Sequence, residues 1–415
     1  MGTDPASMTK RSSEMSSGRR LQIALGLIWL LDGALQFQPF MFTKGFVNQV
    51  LLPSAQGNPG WVADPTISLA HYIEPHIAAW NAFFAVLQVL IGIGIAGGAL
   101  ARRPSIIKTA LLTSMVWALM VWWLSEGLGG ILQGGSPLSG APGAVILYGL
   151  IAILLWPSSD LAYTSPLIEK VVNRSAEGRR SSQTSKGLSE QALTATGESG
   201  EPANEQTSTV LPNEEETMQQ LPSKLSTIRY FIGDLVNSVT SNTAAKVIWA
   251  TLWVFNGFLL LEPSNQMPQA ISSTIKSALP GQPGWLHDLL NSSANMLSGT
   301  GAWIDSLLAV AMIIIGAGVA LNLYPRVMLS VSIVLSLAIW IFGEGLGGIL
   351  TGQGTDPNTG PLWIILAGCL WVRLTITESN RSYHVTTSLS PNPLNPEQAS
   401  IQESQRETVY SATNA

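Results

Sequence analysis

Charged residues are scarce in this chain. Only 11% of its 415 residues are charged, whereas 46% are hydrophobic and the mean hydropathy is +0.28. A soluble domain usually carries about 25% charged residues, so a single soluble globule is excluded. Several apolar runs also exceed the roughly 18 to 20 residues that cross a bilayer as a helix. The composition therefore predicts an all-α polytopic membrane protein.

Cysteine and histidine are also rare. Cys369 is the only cysteine, which excludes an internal disulfide, a CxxC redox pair and a thiolate cluster. The four histidines, His71, His76, His287 and His384, lie outside the apolar runs or at their rims, which argues against paired haem ligation within the membrane. Phosphate-binding loops, nucleophile triads and metal-ligand spacings are missing outside the apolar runs. We predict no metal site, no nucleic-acid partner, no evident cofactor and no enzymatic activity for the chain on its own.

Eight apolar runs predict eight transmembrane helices in two groups of four. They cover approximately 21–42, 75–100, 105–132, 142–158, 244–262, 300–322, 326–350 and 361–377. Arg19 and Arg20 precede the first run, and Arg102 and Arg103 lie between the second and third. By the positive-inside rule, both termini and the middle segment are cytoplasmic, and we expect a multi-pass protein of the cell membrane.

The two groups of four are copies of each other. Residues 29–33 match 253–257 and residues 58–61 match 282–285 at the same offset, and the sequence EGLGGIL occurs at both 126–132 and 344–350. Because each copy has an even number of spans, both copies keep the same orientation. We predict two tandem four-helix bundles related by a pseudo-two-fold axis along the membrane normal, and an inverted-repeat transporter fold is disfavoured.

The chain divides into five predicted segments. They are a cytoplasmic tail at 1–20, a first membrane unit at 21–158, a polar linker at 159–243, a second membrane unit at 244–377 and a disordered cytoplasmic tail at 378–415. The linker is rich in Ser, Glu, Gln and Thr and is predicted to be mostly disordered. Apolar residues recur at helical spacing over 223–239, which is typical of an amphipathic helix on the membrane surface or of an extension of the fifth span.

Each copy places three polar residues roughly 10 Å below the predicted outer boundary. They are Asp32, Asn81 and Glu126 in the first copy, and Asn256, Asp305 and Glu344 in the second. Asp and Asn have exchanged positions between the copies, as expected if the two positions touch and need one acid and one amide. This layer could relay protons, bind a cation or hydrogen-bond a ligand head group. Alternatively, it is an interhelical hydrogen-bond network with a purely structural role.

Six glycines follow the two equivalent glutamates. They are Gly127, Gly129 and Gly130, with Gly345, Gly347 and Gly348 at the matching positions. Small residues allow helix backbones to approach closely, so we expect these glycines to pack helices together, with an unwound helix end as the alternative.

The second predicted helix also resembles a known family. The run 88–100 is rich in Gly and apolar residues and is followed by Arg102, Arg103 and Pro104, and a copy of it covers 315–326. This pattern and the four-span layout resemble the DoxX/DoxD-type membrane module, some members of which are subunits of thiosulfate:quinone oxidoreductase. The resemblance implies a quinone ligand and a partner subunit in a membrane redox system.

Three functions remain open from the sequence. The first is a non-haem accessory or quinone-interacting subunit, which would depend on a redox partner. The second is a transporter or channel for protons, a cation or a small solute through a carboxylate-lined outer cavity, which would act in isolation. The third is a membrane scaffold whose linker binds partners.

Overall fold

The computed structural model describes residues 17–157 and 241–389, and within these ranges it contains helices and turns but no strand. The main helices are α1 (Ser17–Leu35), α2 (Gly60–Ile73), α3 (Ile77–Leu100), α4 (Pro104–Leu124), α5 (Ala144–Leu154), α6 (Asn242–Leu260), α7 (Ala270–Ser277), α8 (Gly284–Met296), α9 (Gly301–Ala320), α10 (Pro325–Ala338) and α11 (Thr359–Leu389). The chain forms two compact units, 1–369 and 370–415, whose boundary falls within α11. The first unit carries the candidate site.

Five helical stretches among the described residues are long and apolar enough to cross a membrane. They are Gly60–Leu100, which joins α2 to α3, and Pro104–Leu124, Asn242–Leu260, Gly301–Ala320 and Pro325–Gly343. The predicted runs at 142–158 and 361–377 appear as shorter apolar helices, Ala144–Leu154 and Thr359–Thr375. These helices identify an integral membrane protein of the all-α class.

Several predicted segments fall partly or wholly outside the described residues. Residues 1–16 of the N-terminal tail, residues 158–240 with the predicted amphipathic helix at 223–239, and residues 390–415 are among them. The last helix continues to Leu389, beyond its predicted end at 377.

The two EGLGGIL segments end their helices earlier than the sequence predicts. The helix predicted at 105–132 ends at Leu124, and the one predicted at 326–350 ends in a π-helical turn at Ile339–Gly343. In each copy four consecutive residues then have φ between 53° and 73°, namely Gly127, Leu128, Gly129 and Gly130, and Gly345, Leu346, Gly347 and Gly348. A left-handed turn of this kind breaks the helix and favours glycine. The six glycines expected to pack helices therefore form unwound turns instead.

The order of helices repeats along the chain. In the first copy α1 packs along α3, and in the second α6 packs along α9. Glycines make both contacts close, since a Cβ built at Gly33 would lie 3.2 Å from the Ala85 carbonyl oxygen, and one built at the matching Gly257 would lie 2.8 Å from the Ala309 carbonyl oxygen. Matched glycines thus fix the same helix pairing in both copies.

Loops from each copy reach the other. The turn Pro137–Ser139 of the first copy contacts Ile339–Gly343 of the second. The Asn265 amide donates to the Gly134 carbonyl oxygen at 3.2 Å. In the opposite direction, the segment from Thr355 to Asn358 extends into the first copy. The two copies therefore share the surfaces on which the candidate site is built.

Candidate functional site

A cavity of about 350 Å³ lies in the first copy. Its walls come from α1, the helical turns between Lys44 and Ala55, α2, α3 and α4, with a further contribution from the second copy. The polar residues that line it are Asp32, Gln36, Gln88, Ser125, Glu126, Thr355 and Asp356. A largely apolar cavity with a few convergent polar groups is the usual form of a small-molecule site.

Aromatic side chains form one wall of this cavity. The ring centroids of Trp80 and Phe84 are 6.1 Å apart, and those of Phe84 and Trp117 are 5.5 Å apart. Phe83 and Met120 also line the cavity and are 52% and 48% exposed. Both lie within apolar spans, so the cavity reaches the surface of the protein where the chain faces lipid.

Asp32 is the most deeply buried carboxylate of the cavity, with only 2% of its surface exposed. The Tyr148 hydroxyl donates to Asp32 Oδ2 at 2.5 Å. Tyr148 is itself fixed against Trp29, with ring centroids 4.4 Å apart, and the Trp29 indole donates to the Ser114 hydroxyl at 3.0 Å. Asp32 Oδ1 has no hydrogen-bond partner. One oxygen of this carboxylate is thus anchored and the other is buried without a partner.

Glu126 joins the left-handed turn to the start of α5. Its Oε1 accepts a long hydrogen bond of 3.4 Å from the Val145 backbone N–H, in the first turn of α5. In the second copy the backbone N–H of Gly360 donates to Glu344 Oε2 at 3.2 Å, and the Thr359 hydroxyl donates to Oε1. A carboxylate at a helix N-terminus satisfies free backbone donors. This role in the fold explains why both copies carry a glutamate at this position. Glu126 Oε2 remains without a hydrogen-bond partner.

Asp356 comes from the second copy but lines the cavity of the first. Its Oδ2 accepts from the Thr355 hydroxyl at 2.8 Å, and its Oδ1 accepts from the Asn358 backbone N–H at 2.7 Å. These bonds hold the carboxylate in a tight turn, and burial raises its pKa from the ordinary value. Asp356 is not among the residues predicted from the sequence. It lies in a loop of the second copy and reaches the cavity only because loops of the two copies contact each other.

The cavity has unpaired hydrogen-bond acceptors. Four buried side-chain atoms that belong to its lining residues lack a partner, and all four are oxygens: Asp32 Oδ1, Gln36 Oε1, Gln88 Oε1 and Glu126 Oε2. A buried acceptor without a donor costs about 1 to 3 kcal/mol. The cavity is therefore complementary to a molecule that donates hydrogen bonds.

The other predicted site residues lie apart from this cavity. The Asn81 amide donates to the Gln36 carbonyl oxygen at 2.7 Å, whereas Asp32 accepts from Tyr148, so the expected acid and amide bond to different partners. In the second copy Asn256 and Asp305 are 3% and 1% exposed, and Oδ1 of each lacks a partner. The structure thus brings Asp32 and Glu126 to one cavity, while Asn81 bonds to the backbone of Gln36, which lines that cavity.

The second copy carries apolar residues at positions that match the cavity. At the offset of 224, Gln36 matches Leu260, Trp80 matches Ile304, Phe84 matches Leu308 and Gln88 matches Met312, and Trp117 matches Leu335 in the third helices. Features shared by both copies, such as the glutamate and the left-handed turn, serve the fold. The aromatic wall and the two glutamines belong to the first copy alone, which identifies its cavity as the specialised one.

Protonation of Glu126 should make stability depend on pH. Glu126 and Glu344 both follow the end of a spanning helix, and burial raises their pKa values from the ordinary 4.5 to about 8 and about 7. The folded state therefore holds these protons more tightly than the unfolded state, so their contribution to stability is complete below about pH 4.5 and is lost as the pH rises through about 7 to 8.

We expect the melting temperature of the detergent-solubilised protein to fall over this range. Both carboxyls contribute to the fall between about pH 4.5 and 7, and only Glu126 contributes between about 7 and 8. Glu126→Gln should therefore remove the fall above about pH 7, while Glu344→Gln, the matched control, should leave it unchanged there. Equal slopes in the wild type and the Glu126→Gln variant would show that Glu126 keeps an ordinary pKa.

Comparison with known proteins does not identify a ligand or a reaction for this site. No family model, curated protein or solved structure matches the chain. The resemblance to the DoxX/DoxD-type module therefore stays a proposal, and the functional argument rests on the chemistry of the cavity.

Proposed function

We propose that this integral membrane protein binds a lipid-soluble molecule with a hydrogen-bond-donating head group in the cavity of its first copy. In this proposal eight helices cross the cell membrane as two tandem four-helix bundles of DoxX-like layout, with the same orientation and with both termini in the cytoplasm. The shorter helices α5 and α11 and the first helix α1 complete the two sets of four.

The four unpartnered acceptor oxygens carry the proposal. Their combined cost to the fold is several kcal/mol, since each buried acceptor without a donor costs about 1 to 3 kcal/mol. Selection for stability alone would have replaced the two glutamines with apolar residues, as at the matching positions Leu260 and Met312 of the second copy. A ligand that donates hydrogen bonds to these oxygens removes this cost. The free energy gained in this way favours binding of the ligand.

The route to the cavity supports a ligand from the bilayer. The exposed side chains at its rim, Phe83 and Met120, lie on α3 and α4 within spans that face lipid. A molecule dissolved in the hydrocarbon region could therefore enter between these helices without crossing water.

A second candidate setting is a membrane redox system, in which the reduced form of a quinone would be the ligand. The carbonyl oxygens of a quinone are acceptors and do not fit unpaired acceptors, whereas the two hydroxyl groups of a quinol are donors and do fit them. In this role the chain is an accessory subunit that holds a quinol near a redox partner.

The first test is mass spectrometry of organic extracts from the protein purified in mild detergent. We expect the wild type to retain a lipid-soluble molecule with hydroxyl or amine groups. The variant Phe84→Leu/Gln88→Met/Trp117→Leu places at three cavity positions the residues that the second copy carries there. It should retain about tenfold less of the lipid-soluble molecule.

Asp305→Asn, which changes a buried carboxylate of the second copy, should retain as much as the wild type. Equal retention by the wild type and the triple variant would contradict the proposal, provided that both elute as the same monodisperse species.

A further inference from the structure

Three carboxylates line the cavity without a cation among its lining residues. Asp32, Glu126 and Asp356 are acidic, and no Lys, Arg or His occurs among the residues that line it. Carboxylates that share an apolar space repel one another, which either leaves them protonated or attracts a positive charge. A cationic ligand would remove this repulsion and keep the carboxylates ionised, so it is favoured over a neutral molecule with the same donors.

The geometry disfavours a bare metal ion as that cation. Among the described residues no group of three or more His, Cys, Asp or Glu side chains is placed to hold one metal. The carboxylates are instead distributed around a cavity of about 350 Å³, and Asp356 already accepts two hydrogen bonds from its own turn. A charge on an organic molecule that fills the space fits this arrangement better.

Asp32 provides the point of attachment for such a charge. It is 2% exposed, its Oδ2 is held by Tyr148 and its Oδ1 lacks a partner while the residue lines the cavity. Gln36 and Gln88, which are 5% and 8% exposed, present further unpartnered oxygens. An ammonium group has up to three N–H donors and matches a set of acceptors of this kind.

The aromatic wall suits the remainder of the molecule. Trp80, Phe84 and Trp117 form a continuous row in which neighbouring ring centroids are 6.1 and 5.5 Å apart. The faces of aromatic rings attract cations and also pack against apolar groups. The matching positions in the second copy are Ile304, Leu308 and Leu335, so the row is absent there.

We propose that the ligand is a lipophilic amine in its ammonium form, bound with its nitrogen at Asp32 Oδ1 and its apolar part along Trp80, Phe84 and Trp117. This inference rests on the proposed binding function and selects an amine over a quinol, because a quinol carries no positive charge. Asp356 contributes long-range attraction from the second copy, so the ligand couples the two copies.

The test compares two molecules of nearly equal size and shape that differ in charge. The full chain in zwitterionic nanodiscs is equilibrated near neutral pH with radiolabelled 1-naphthylmethylamine, which is protonated there, or with the neutral 1-naphthylmethanol. Empty nanodiscs correct for partition into lipid. We expect the wild type to bind the amine about tenfold or more tightly than the alcohol.

Variants then locate the charge that is recognised. Asp32→Asn and Asp356→Asn should each weaken binding of the amine by about tenfold or more and leave binding of the alcohol nearly unchanged, whereas Asp305→Asn should change neither. Unchanged binding of the alcohol would show that the cavity is intact in each variant.

The outcomes separate the two proposals. If the wild type binds the alcohol as tightly as the amine, or if Asp32→Asn weakens both equally, the ligand class is wrong while the binding function stands. If neither molecule binds and the extracts of the purified protein also hold no ligand, both proposals fail. Loss of amine binding in Asp305→Asn would move the site to the second copy and overturn the inference.

Discussion

Gly129→Ala should destabilise the folded protein by about 4 kcal/mol or more. Gly129 has a φ of 64°, and a Cβ built on it would lie 1.9 Å from the Pro142 carbonyl oxygen. Left-handed backbone costs a non-glycine residue about 1 to 2 kcal/mol, and the clash requires the chain before α5 to move as well. Because that chain includes the turn that packs on the second copy, we expect little folded protein by fluorescence-detected size exclusion.

Gly352→Ala is the matched control for this change. Gly352 has a φ of 77°, so alanine has the same backbone strain there, but a Cβ built on it would meet no atom within 4 Å. We expect it to cost only about 1 kcal/mol and to give folded protein with a slightly lower melting temperature. Equal losses for the two variants would mean that backbone strain alone, and not the contact with Pro142, makes glycine necessary at 129.

Asp32→Leu/Tyr148→Phe should strongly weaken ligand binding and yet stabilise the protein by about 1 to 3 kcal/mol. The double change removes a buried carboxylate with an unpartnered oxygen and also removes the hydroxyl that donates to it. Replacing both partners of a buried polar pair by apolar groups is often neutral or stabilising, because no group is left without a partner. Binding should weaken about 100-fold, since the attachment point is lost.

The single variant Tyr148→Phe completes this experiment. It removes the hydroxyl that donates to Asp32 and leaves both carboxylate oxygens unpaired, so it should lower the free energy of unfolding by about 1 to 3 kcal/mol. Unfolding in denaturant measures the wild type, Asp32→Leu, Tyr148→Phe and the double variant, and this cycle isolates the coupling between the two side chains. A large loss of stability in the double variant would favour the alternative that the polar layer is a structural network.

The sequence predicts the all-α membrane class of this fold well, because the class depends on local pattern. Apolar runs at 75–100, 244–262 and 300–322 correspond closely to α3, α6 and α9, since a long apolar run has few alternatives to a spanning helix. The limits of the third helices were missed. Apolar residues such as Ile131 and Leu132 continue the hydrophobic pattern, while the glycines before them turn the backbone to positive φ and end the helix at Leu124.

Only part of the site could be predicted from the sequence. Asp32 and Glu126 are conspicuous as acids next to apolar runs, and the structure places both on one cavity. Asp356 and the aromatic residues Trp80 and Trp117 were not selected, since a loop aspartate and interfacial tryptophans are common in membrane proteins. A comparison of the two copies position by position would have found the aromatic signal, because Trp80 and Trp117 have apolar aliphatic counterparts.

The central claim is that the cavity of the first copy, and not the equivalent place in the second, holds a small molecule from the membrane. A cryo-electron microscopy map of the full chain in nanodiscs of native lipid, with a bound antibody fragment to add mass, tests this directly. We predict density that no protein atom explains between Asp32 and the aromatic row of Trp80, Phe84 and Trp117, with none beside Asn256. A cavity closed by its own side chains, or equal density in both copies, would contradict the claim.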